Sequence, residues 1–331
     1  MQIETPFKAP VVDELSVRVV VDSHYEHFLP KASHPQVRIE YVGRIPGRHM
    51  TTFAAEWGLS LHLSSVQAGA RSQYLLDFGY TPEVLRRNFD LLDIDPAAIN
   101  GLILSHGHRD HFGGLDGFIL DHRSRMRPDL ALYVGGETAF REKWLKEEGC
   151  EPVSWGAINQ ISLRAQNVAT VCCHAPHALD GAFTSGHIQR QSFEEVTGGT
   201  LVAEDEHYSE AERRGVLVRD QHPDEHATCY IVKGRGLVVI SSCGHAGIIN
   251  SIRSAMAAAN VDRVHAVLGG FHLGLAPLDY LQHSLRELEA LNPDVIIPMH
   301  CTGAPFIEMM RERMPGKLVR SNVGSRFTFG V

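Results

Sequence analysis

The stretch "GLILSHGHRDHFGGL" (Gly101–Leu115) decides the fold, because it joins an apolar run to three histidines and an aspartate within six residues. The run "INGLILSH" (99–106) predicts a buried strand, and the polar cluster follows at its carboxyl end. His106 and His108 are two residues apart, so their side chains point the same way in an extended segment. With one more nitrogen from elsewhere in the chain, they would form a three-histidine zinc site with one open position.

Asp110 and His111 follow directly and predict ligands for a second ion beside the first. A carboxylate oxygen next to imidazole nitrogens suits zinc, manganese or iron. Two ions about 3.5–4 Å apart would share a bridging water and lower its pKa toward neutrality. A single histidine at a strand end is usually an ordinary surface or core residue, but four ligand-type residues at this spacing favour a metal site.

Short β-branched runs alternate with helical patterns along the chain, which predicts an α/β protein. Strands are expected at 15–22, 59–65 and 73–79. The segment "TPEVLRRNFDLL" predicts a helix, with Thr81 as N-cap and Pro82 at the first helical position. The polar, acidic segment at about 177–226 has no apolar core of its own, so we expect a lid-like insertion there.

Three later segments, 236–260, 264–292 and 294–314, share one plan: an apolar strand, a turn with glycine and histidine, and a helix. Together with Gly101–Leu115 they give four histidine-bearing turns at strand ends. Since rigid strands deliver their terminal side chains to a common edge of a sheet, we expect these histidines to meet.

The bulk composition excludes several classes of protein. The chain has 331 residues, 44% of them hydrophobic, which is enough for a buried core. A formal net charge of −8 argues against a nucleic-acid partner. Residues 1–21 lack the pattern of a secretory signal, and no apolar run is long enough to span a membrane. We therefore expect a cytoplasmic protein without a membrane partner, whose six cysteines are reduced.

The motif "SHGHRDHFGGL" resembles the signature of the metallo-β-lactamase fold superfamily. This resemblance implies an α/β (α+β) fold, a four-layer αββα sandwich formed by one domain over 1–331, with metals at the edge between the two sheets. It also implies roles for three remote residues. Asp77 of "LLDFG" supports the ligands from the second shell. His245 of "SSCGHAGI" completes the first metal site, and His300 of "PMHCTG" serves the second.

Further motifs narrow the resemblance to one branch of that superfamily. "AEWGLS", "GHIQR", "CGHAGIINSI", "VLGGFHL" and "PMHCTG" occur in the order of the metal-dependent hydrolases that include the archaeal 7,8-dihydropterin-6-methyl-4-(β-D-ribofuranosyl)aminobenzene 5'-phosphate synthases. The matches extend from about Glu56 to Gly324. Most relatives in this branch have no assigned reaction, so the resemblance is specific for the family and not for the substrate.

One departure concerns the aspartate that bridges two metals in the broader superfamily. The corresponding turn reads "LGGFHLG" (268–274) and contains no carboxylate. His272 is the nearest residue with ligand chemistry; it either coordinates metal or contacts substrate during catalysis. Zn²⁺ is the expected metal, one or two ions per chain, with Mn²⁺, Fe²⁺ and Mg²⁺ as alternatives. Loss of the bridge would weaken the second site.

Other polar residues carry weaker predictions. Arg190 of "GHIQR" would suit a phosphate or carboxylate on the substrate, or is a solvated loop residue. Asp224 resembles an acidic residue near the site in relatives and is a second substrate-binding candidate, with a role in a turn as the alternative. Cys243 and Cys301 neighbour ligand histidines, so we expect them to line the site without being ligands.

The leading functional hypothesis is a metal-dependent hydrolase. His106, His108 and His245 would hold one ion, and Asp110, His111 and His300 the other, with Asp110 and His272 as the catalytic candidates. A metal-activated hydroxide would attack a small ester, lactone or phosphate-containing substrate. The alternatives are a transferase resembling the archaeal synthases and a non-enzymatic, metal-containing ligand-binding module. The expected partner is a small molecule, and the sequence leaves a homo-oligomer open.

Overall fold

The computed structural model describes residues 7–147, 149–204 and 216–330. Its strands are β1 (Val11–Val12), β2 (Glu14–Val21), β3 (Arg38–Glu40), β4 (Ser60–Gln67), β5 (Ala70–Leu76), β6 (Gly101–Leu104), β7 (Ala131–Val134), β8 (Lys143–Leu145), β9 (Val153–Gly156), β10 (Ala169–Cys172), β11 (His177–Ala178), β12 (Phe183–Thr184), β13 (Thr200–Ala203), β14 (Leu217–Arg219), β15 (Thr228–Val232), β16 (Gly236–Ser241), β17 (Val264–Gly269), β18 (Val295–Pro298) and β19 (Arg326–Phe329). Its α-helices are α1 (Pro82–Leu91), α2 (Arg109–Phe112), α3 (Leu115–His122), α4 (Gln160–Ala165), α5 (Ile248–Ala259), α6 (Leu278–Leu291) and α7 (Ala304–Arg313). None of the helices in these ranges is both long and apolar enough to cross a membrane.

Two large sheets form the centre of the molecule. The first has the strand order β10-β7-β6-β5-β4-β2-β19-β3, and the second has the order β11-β12-β15-β16-β17-β18, with β1 paired to β15. In the first sheet β5, β6, β7 and β10 run parallel, and in the second β16, β17 and β18 do so. Parallel strands need crossover connections, which the helices supply.

Three apolar clusters hold the layers together. The central cluster joins the facing sides of the two sheets, with Leu61 and Leu63 from the first and Val238 and Leu268 from the second. A second cluster packs α1 and α3 on the outer face of the first sheet. A third packs α5, α6 and α7 on the outer face of the second sheet. The order helix, sheet, sheet, helix is the predicted four-layer αββα sandwich, and the fold prediction is confirmed.

Helix α1 shows why the local sequence folds as it does. The Thr81 side chain accepts a hydrogen bond from the Val84 N–H, and Pro82 takes the first helical position. Leu85 and Phe89 are buried against the first sheet. Burying a side chain of this size stabilises the fold by roughly 1.5–3 kcal/mol. The predicted helix is therefore present, with its apolar face toward the sandwich.

A small third sheet with the order β14-β13-β8-β9 lies beside the two large ones. The segment 177–226, predicted as an insertion, contributes β13 and β14 to this sheet, whereas β11 and β12 from the same segment pair within the second large sheet. Residues 205–215 of that segment lie outside the described residues. A lid function for 177–226 stays a prediction.

Candidate metal centre

The carboxyl ends of five strands bring the predicted site residues together. The residues that follow these ends are Asp77 after β5, His106 after β6, His245 after β16, His272 after β17 and His300 after β18. The ring centroids of His106 and His245 are 4.9 Å apart, and those of His245 and His272 are 4.1 Å apart. The histidine-bearing turns thus meet at one edge, across both sheets.

His106, His108 and His245 form what we call the first ligand group. Each offers a ring nitrogen, and the three nitrogens lie within 4.8 Å of one another. All three side chains are buried. The Nε2 atoms of His106 and His245 have no hydrogen-bond partner, although a buried polar atom normally has one. A cation is the partner that these nitrogens fit.

Uncharged groups orient the first ligand group. The contacts are His106 Nδ1 to Ser105 Oγ (2.9 Å), His108 Nε2 to Thr200 Oγ1 (3.0 Å) and His245 Nδ1 to the Thr197 carbonyl oxygen (2.9 Å). Burial, followed by repulsion among the neighbouring imidazoles, holds the pKa of His106, His108 and His245 well below the usual value for histidine. These rings are neutral at physiological pH, which is the form that binds metal.

Asp110, His111 and His300 form the second ligand group. Helix α2 carries the first two, and Asp110 Oδ2 lies 3.3 Å from His300 Nε2 and 3.8 Å from His111 Nε2. Burial would raise the pKa of Asp110, but His111 and His300 outweigh it and lower that pKa. Burial would lower the pKa of His300, but Cys301 and the Asp110 carboxylate raise it to about 9. Without metal, this group therefore contains a carboxylate and a cationic imidazole.

Asp77 lies where the sequence predicts a supporting carboxylate. Its Oδ2 accepts hydrogen bonds from His111 Nδ1 (2.7 Å) and Ser105 Oγ (2.8 Å), and its Oδ1 accepts one from the Ser105 N–H (2.8 Å). These contacts fix the ring of His111 and the start of the ligand turn at the same time. Asp77 has φ 58°, a left-handed conformation that non-glycine residues adopt rarely.

Two further supporting carboxylates were not predicted. Asp22, which directly follows β2, accepts the His300 N–H through Oδ1 at 2.9 Å. Its position repeats that of Asp77, an aspartate after a buried strand, and this pattern is the signal that could have found it. Glu225 accepts the backbone N–H groups of Gly244, His245 and Ala246 at 2.8, 2.9 and 2.6 Å. The first ligand group is therefore also supported by a carboxylate, which bonds to the backbone around His245.

His222 is a buried histidine that the sequence analysis missed. Its ring stacks on His245 with centroids 4.2 Å apart. Burial lowers its pKa to about 4, although Asp220 and Asp224 act in the opposite direction. The same Asp220 carboxylate lies 2.7 Å from the buried Lys143 ammonium. His108, Asp220 and His222 thus offer a further set of ligand-type atoms within 4.8 Å of one another, on the side of the small third sheet.

The two predicted substrate-binding residues occupy different environments. Asp224 is fully buried, and its Oδ2 accepts the Gly107 N–H at 2.8 Å, so it braces the turn between His106 and His108. Arg190 is exposed and donates to the backbone oxygen of Gln221. Contact of either residue with substrate stays a prediction. Glu56 accepts hydrogen bonds from the Tyr80 N–H, the Thr81 N–H and the Thr81 hydroxyl, at the start of α1.

Comparisons with known proteins give similarities in sequence and in fold. A model described as the metallo-beta-lactamase superfamily matches residues 59–124. The 7,8-dihydropterin-6-methyl-4-(beta-D-ribofuranosyl)-aminobenzene-5'-phosphate synthase of Methanocaldococcus jannaschii is 27% identical over 285 residues, which cover 84% of this chain and 91% of the synthase. An uncharacterized protein of the same organism is 25% identical and covers 69% of this chain and 78% of its own length.

Among solved structures, a metal-dependent hydrolase of the beta-lactamase superfamily superimposes with a TM-score of 0.69. It is 22% identical in sequence, and the match covers 94% of this chain and 98% of that chain. At this identity the likeness concerns the fold. The matched segment 59–124 contains Asp77 and the cluster 106–111, so the family model coincides with residues at the centre of the site.

Proposed function

Since this chain belongs to the metallo-beta-lactamase superfamily, we propose that it is a metal-dependent hydrolase that acts on a small ester, lactone or phosphate-containing substrate. One observation carries the proposal. Buried ring nitrogens of His106, His111 and His245 lack hydrogen-bond partners and converge at one edge of the sandwich. Leaving such atoms unpaired costs about 1–3 kcal/mol each, a cost that a bound cation removes.

The residues present fit one or two divalent ions. The first ligand group would hold one ion, and the second ligand group would hold the other. Neutral imidazoles with a carboxylate suit Zn²⁺ best, with Mn²⁺, Fe²⁺ and Mg²⁺ as alternatives. When bound, the metal supplies Lewis-acid activation of water and stabilises negative charge on the reacting centre.

The chain's own residues then orient and enclose the reaction. Asp110 Oδ1 is buried without a partner, so it can accept a hydrogen bond from the attacking water. His272 lies half-buried at the rim, with its ring 4.1 Å from His245, and would orient the substrate. The ring of Trp155 lies 5.1 Å from His108, and that of Trp57 lies 4.8 Å from His300. These indoles flank the two ligand groups.

The test combines metal analysis with a substrate screen. Purified protein loaded with Zn²⁺ or Mn²⁺ is assayed against ester, lactone and phosphodiester libraries, beside His106→Ala and the remote variant His62→Ala. His62 is a matched control because its ring bonds to Gln73 on the neighbouring strand and belongs to neither ligand group. We expect loss of metal and turnover in His106→Ala alone. Equal metal content in all three proteins would reject the proposal.

A transferase is the second candidate, favoured by the 27% identity to the archaeal synthase over most of both chains. Incubation of the metal-loaded protein with the pterin and ribosylated aminobenzoate precursors distinguishes the two. Coupled product without hydrolysis of any library member would replace the hydrolase proposal with this one. Metal binding without turnover in either assay would favour a ligand-binding module.

A further inference from the structure

The two ligand groups share no carboxylate from the turn after β17, where residues 268–274 contain none. A thiol lies close to both groups instead. Cys243 follows β16, is buried, and comes two residues before His245. Its Sγ lies 3.2 Å from His272 Nδ1 and 3.3 Å from Cys301 Sγ.

The distances place the Cys243 sulfur between the two groups. Sγ lies within 4.8 Å of ring nitrogens of His106 and His245, which belong to the first ligand group. It lies within the same distance of ring nitrogens of His111 and His300, which belong to the second ligand group. Ligands of one metal have donor atoms at such separations, because each sits about 2–2.3 Å from the ion.

Cys301 differs from Cys243 in its hydrogen bonds. Its Sγ contacts the backbone oxygen of Cys243 at 3.3 Å and accepts the His272 N–H at 3.3 Å. The sulfur of Cys301 is therefore held by backbone groups of two neighbouring turns, and it lies within 4.8 Å of a ring nitrogen of His300 and of the Cys243 sulfur. Cys301 is thus placed to support the turns, and Cys243 is placed to reach ions.

Charge favours the same conclusion. The six residues of the two ligand groups contain five imidazoles and one carboxylate, whereas the buried carboxylates of Asp22, Asp77 and Glu225 bond to the ligand residues. Asp110 is therefore the one anion among the proposed ligands. Buried charge is costly unless it is compensated. A thiolate from Cys243 supplies a second anion at the point nearest to both ions, and soft thiolate ligands bind Zn²⁺ and Fe²⁺ well.

We propose that Cys243 is a ligand of the metal centre, placed between the two ligand groups where the turn 268–274 offers no carboxylate. This inference rests on the proposed metal dependence. As the sulfur–metal bond forms, the thiol proton leaves to solvent, so the oxidation state of the sulfur does not change. The sequence-based expectation that Cys243 lines the site without binding metal is replaced by this assignment.

The test is X-ray absorption at the zinc edge on full-length protein loaded with Zn²⁺ alone under reducing conditions. We expect a sulfur shell at about 2.3 Å in the wild type and in Cys301→Ser, and none in Cys243→Ser. Titration against a competing chelator should show that Cys243→Ser loses at least about tenfold in affinity for its weaker zinc equivalent. The wild-type spectrum needs no variant, so a misfolded variant leaves the test intact.

Three outcomes would overturn the assignment. Bound zinc with only nitrogen and oxygen neighbours in the wild type excludes a cysteine ligand while leaving the proposed metal dependence in place. A sulfur shell that persists in Cys243→Ser and disappears in Cys301→Ser assigns the other cysteine. Wild-type protein that binds no ion rejects the proposed function itself, and the assignment of Cys243 with it.

Discussion

The two ligand groups lie side by side but are supported by different chemistry. In the first ligand group, one ring nitrogen of each histidine contacts an uncharged group. These groups are the hydroxyls of Ser105 and Thr200 and the carbonyl of Thr197. In the second ligand group, Nδ1 of His111 bonds to the Asp77 carboxylate. The backbone of each group also meets a carboxylate, Glu225 at His245 and Asp22 at His300, so the difference between the groups lies at the ring nitrogens. A carboxylate partner makes a ligating imidazole a stronger donor.

The shifts in histidine pKa also differ between the two ligand groups. Neutral, mutually repelling imidazoles form the first ligand group, whereas a proton resides on His300 in the second, where the pKa is raised to about 9. An ion entering the first group displaces no proton from its imidazoles near neutral pH. An ion entering the second must displace one. The lesson is that ligand identity alone does not set affinity; the groups behind the ligands do.

The largest effect is expected when a ligand histidine of either group is replaced by alanine. His108→Ala should abolish metal binding by the first group and lower turnover by more than about 100-fold, beyond the range typical of supporting residues. His300→Ala should retain one equivalent of metal. Metal analysis of both variants checks this. If His300→Ala lost all metal, the two groups would be one cooperative site and the comparison would fail.

A smaller effect is expected when the support of the second group is weakened. Asp77→Asn keeps the size of the side chain but removes the charge beside His111, so affinity for the second ion should fall about 10–100-fold. Asp22→Asn is the matched control, because Asp22 Oδ1 accepts the backbone N–H groups of Ser23 and His300 instead of a ligand ring, and an amide oxygen can still accept those bonds. Chelator competition measures both. A larger loss in Asp22→Asn would reverse the interpretation.

The pH dependence of metal binding should differ between the groups. Because His300 in the metal-free protein has a pKa of about 9, affinity of the second group should fall about tenfold for each pH unit below that value. The first group, whose pKa values lie below that of ordinary histidine, should show no such loss between pH 9 and 7. Calorimetric zinc titrations at pH 7, 8 and 9 would measure the slopes. Equal slopes for both equivalents would contradict the assignment.

The smallest effect is expected at Arg190, which lies outside both groups. Its guanidinium is exposed and bound to the Gln221 carbonyl, so Arg190→Ala should raise KM by less than about fivefold. Steady-state kinetics on whichever substrate the screen identifies would measure this. A much larger increase in KM would establish the substrate contact that the sequence motif suggests.

The sequence predicted most of the framework. The apolar runs before Asp77 and His106 became β5 and β6, and the three late strand–turn–helix segments became β16, β17 and β18 with their helices. These predictions succeeded because hydrophobic periodicity and caps are local properties of the chain. The cluster 106–111 was recognisable for the same reason, since its ligand types are consecutive.

The residues that support the ligands were harder to predict, because their contacts depend on which strand ends become neighbours in space. Asp22 and His300 are 278 residues apart and meet because β2 and β18 end at the same edge of the sandwich. Glu225 directly follows the predicted Asp224, but its three N–H donors lie in another turn. Likewise, Cys243 could be proposed as a metal ligand only from the distances between its sulfur and histidines on three other turns.

The contact between Asp22 and His300 also has a consequence for biosynthesis. Its two partners come from opposite ends of the described chain, and the second ligand group is incomplete until residue 300 has left the ribosome. The nascent chain can therefore pair strands β2, β4, β5 and β6 and form helix α1 long before it can hold a second ion. An ion that binds only the completed fold then stabilises it by mass action, so metal supply would set how much newly made protein survives quality control.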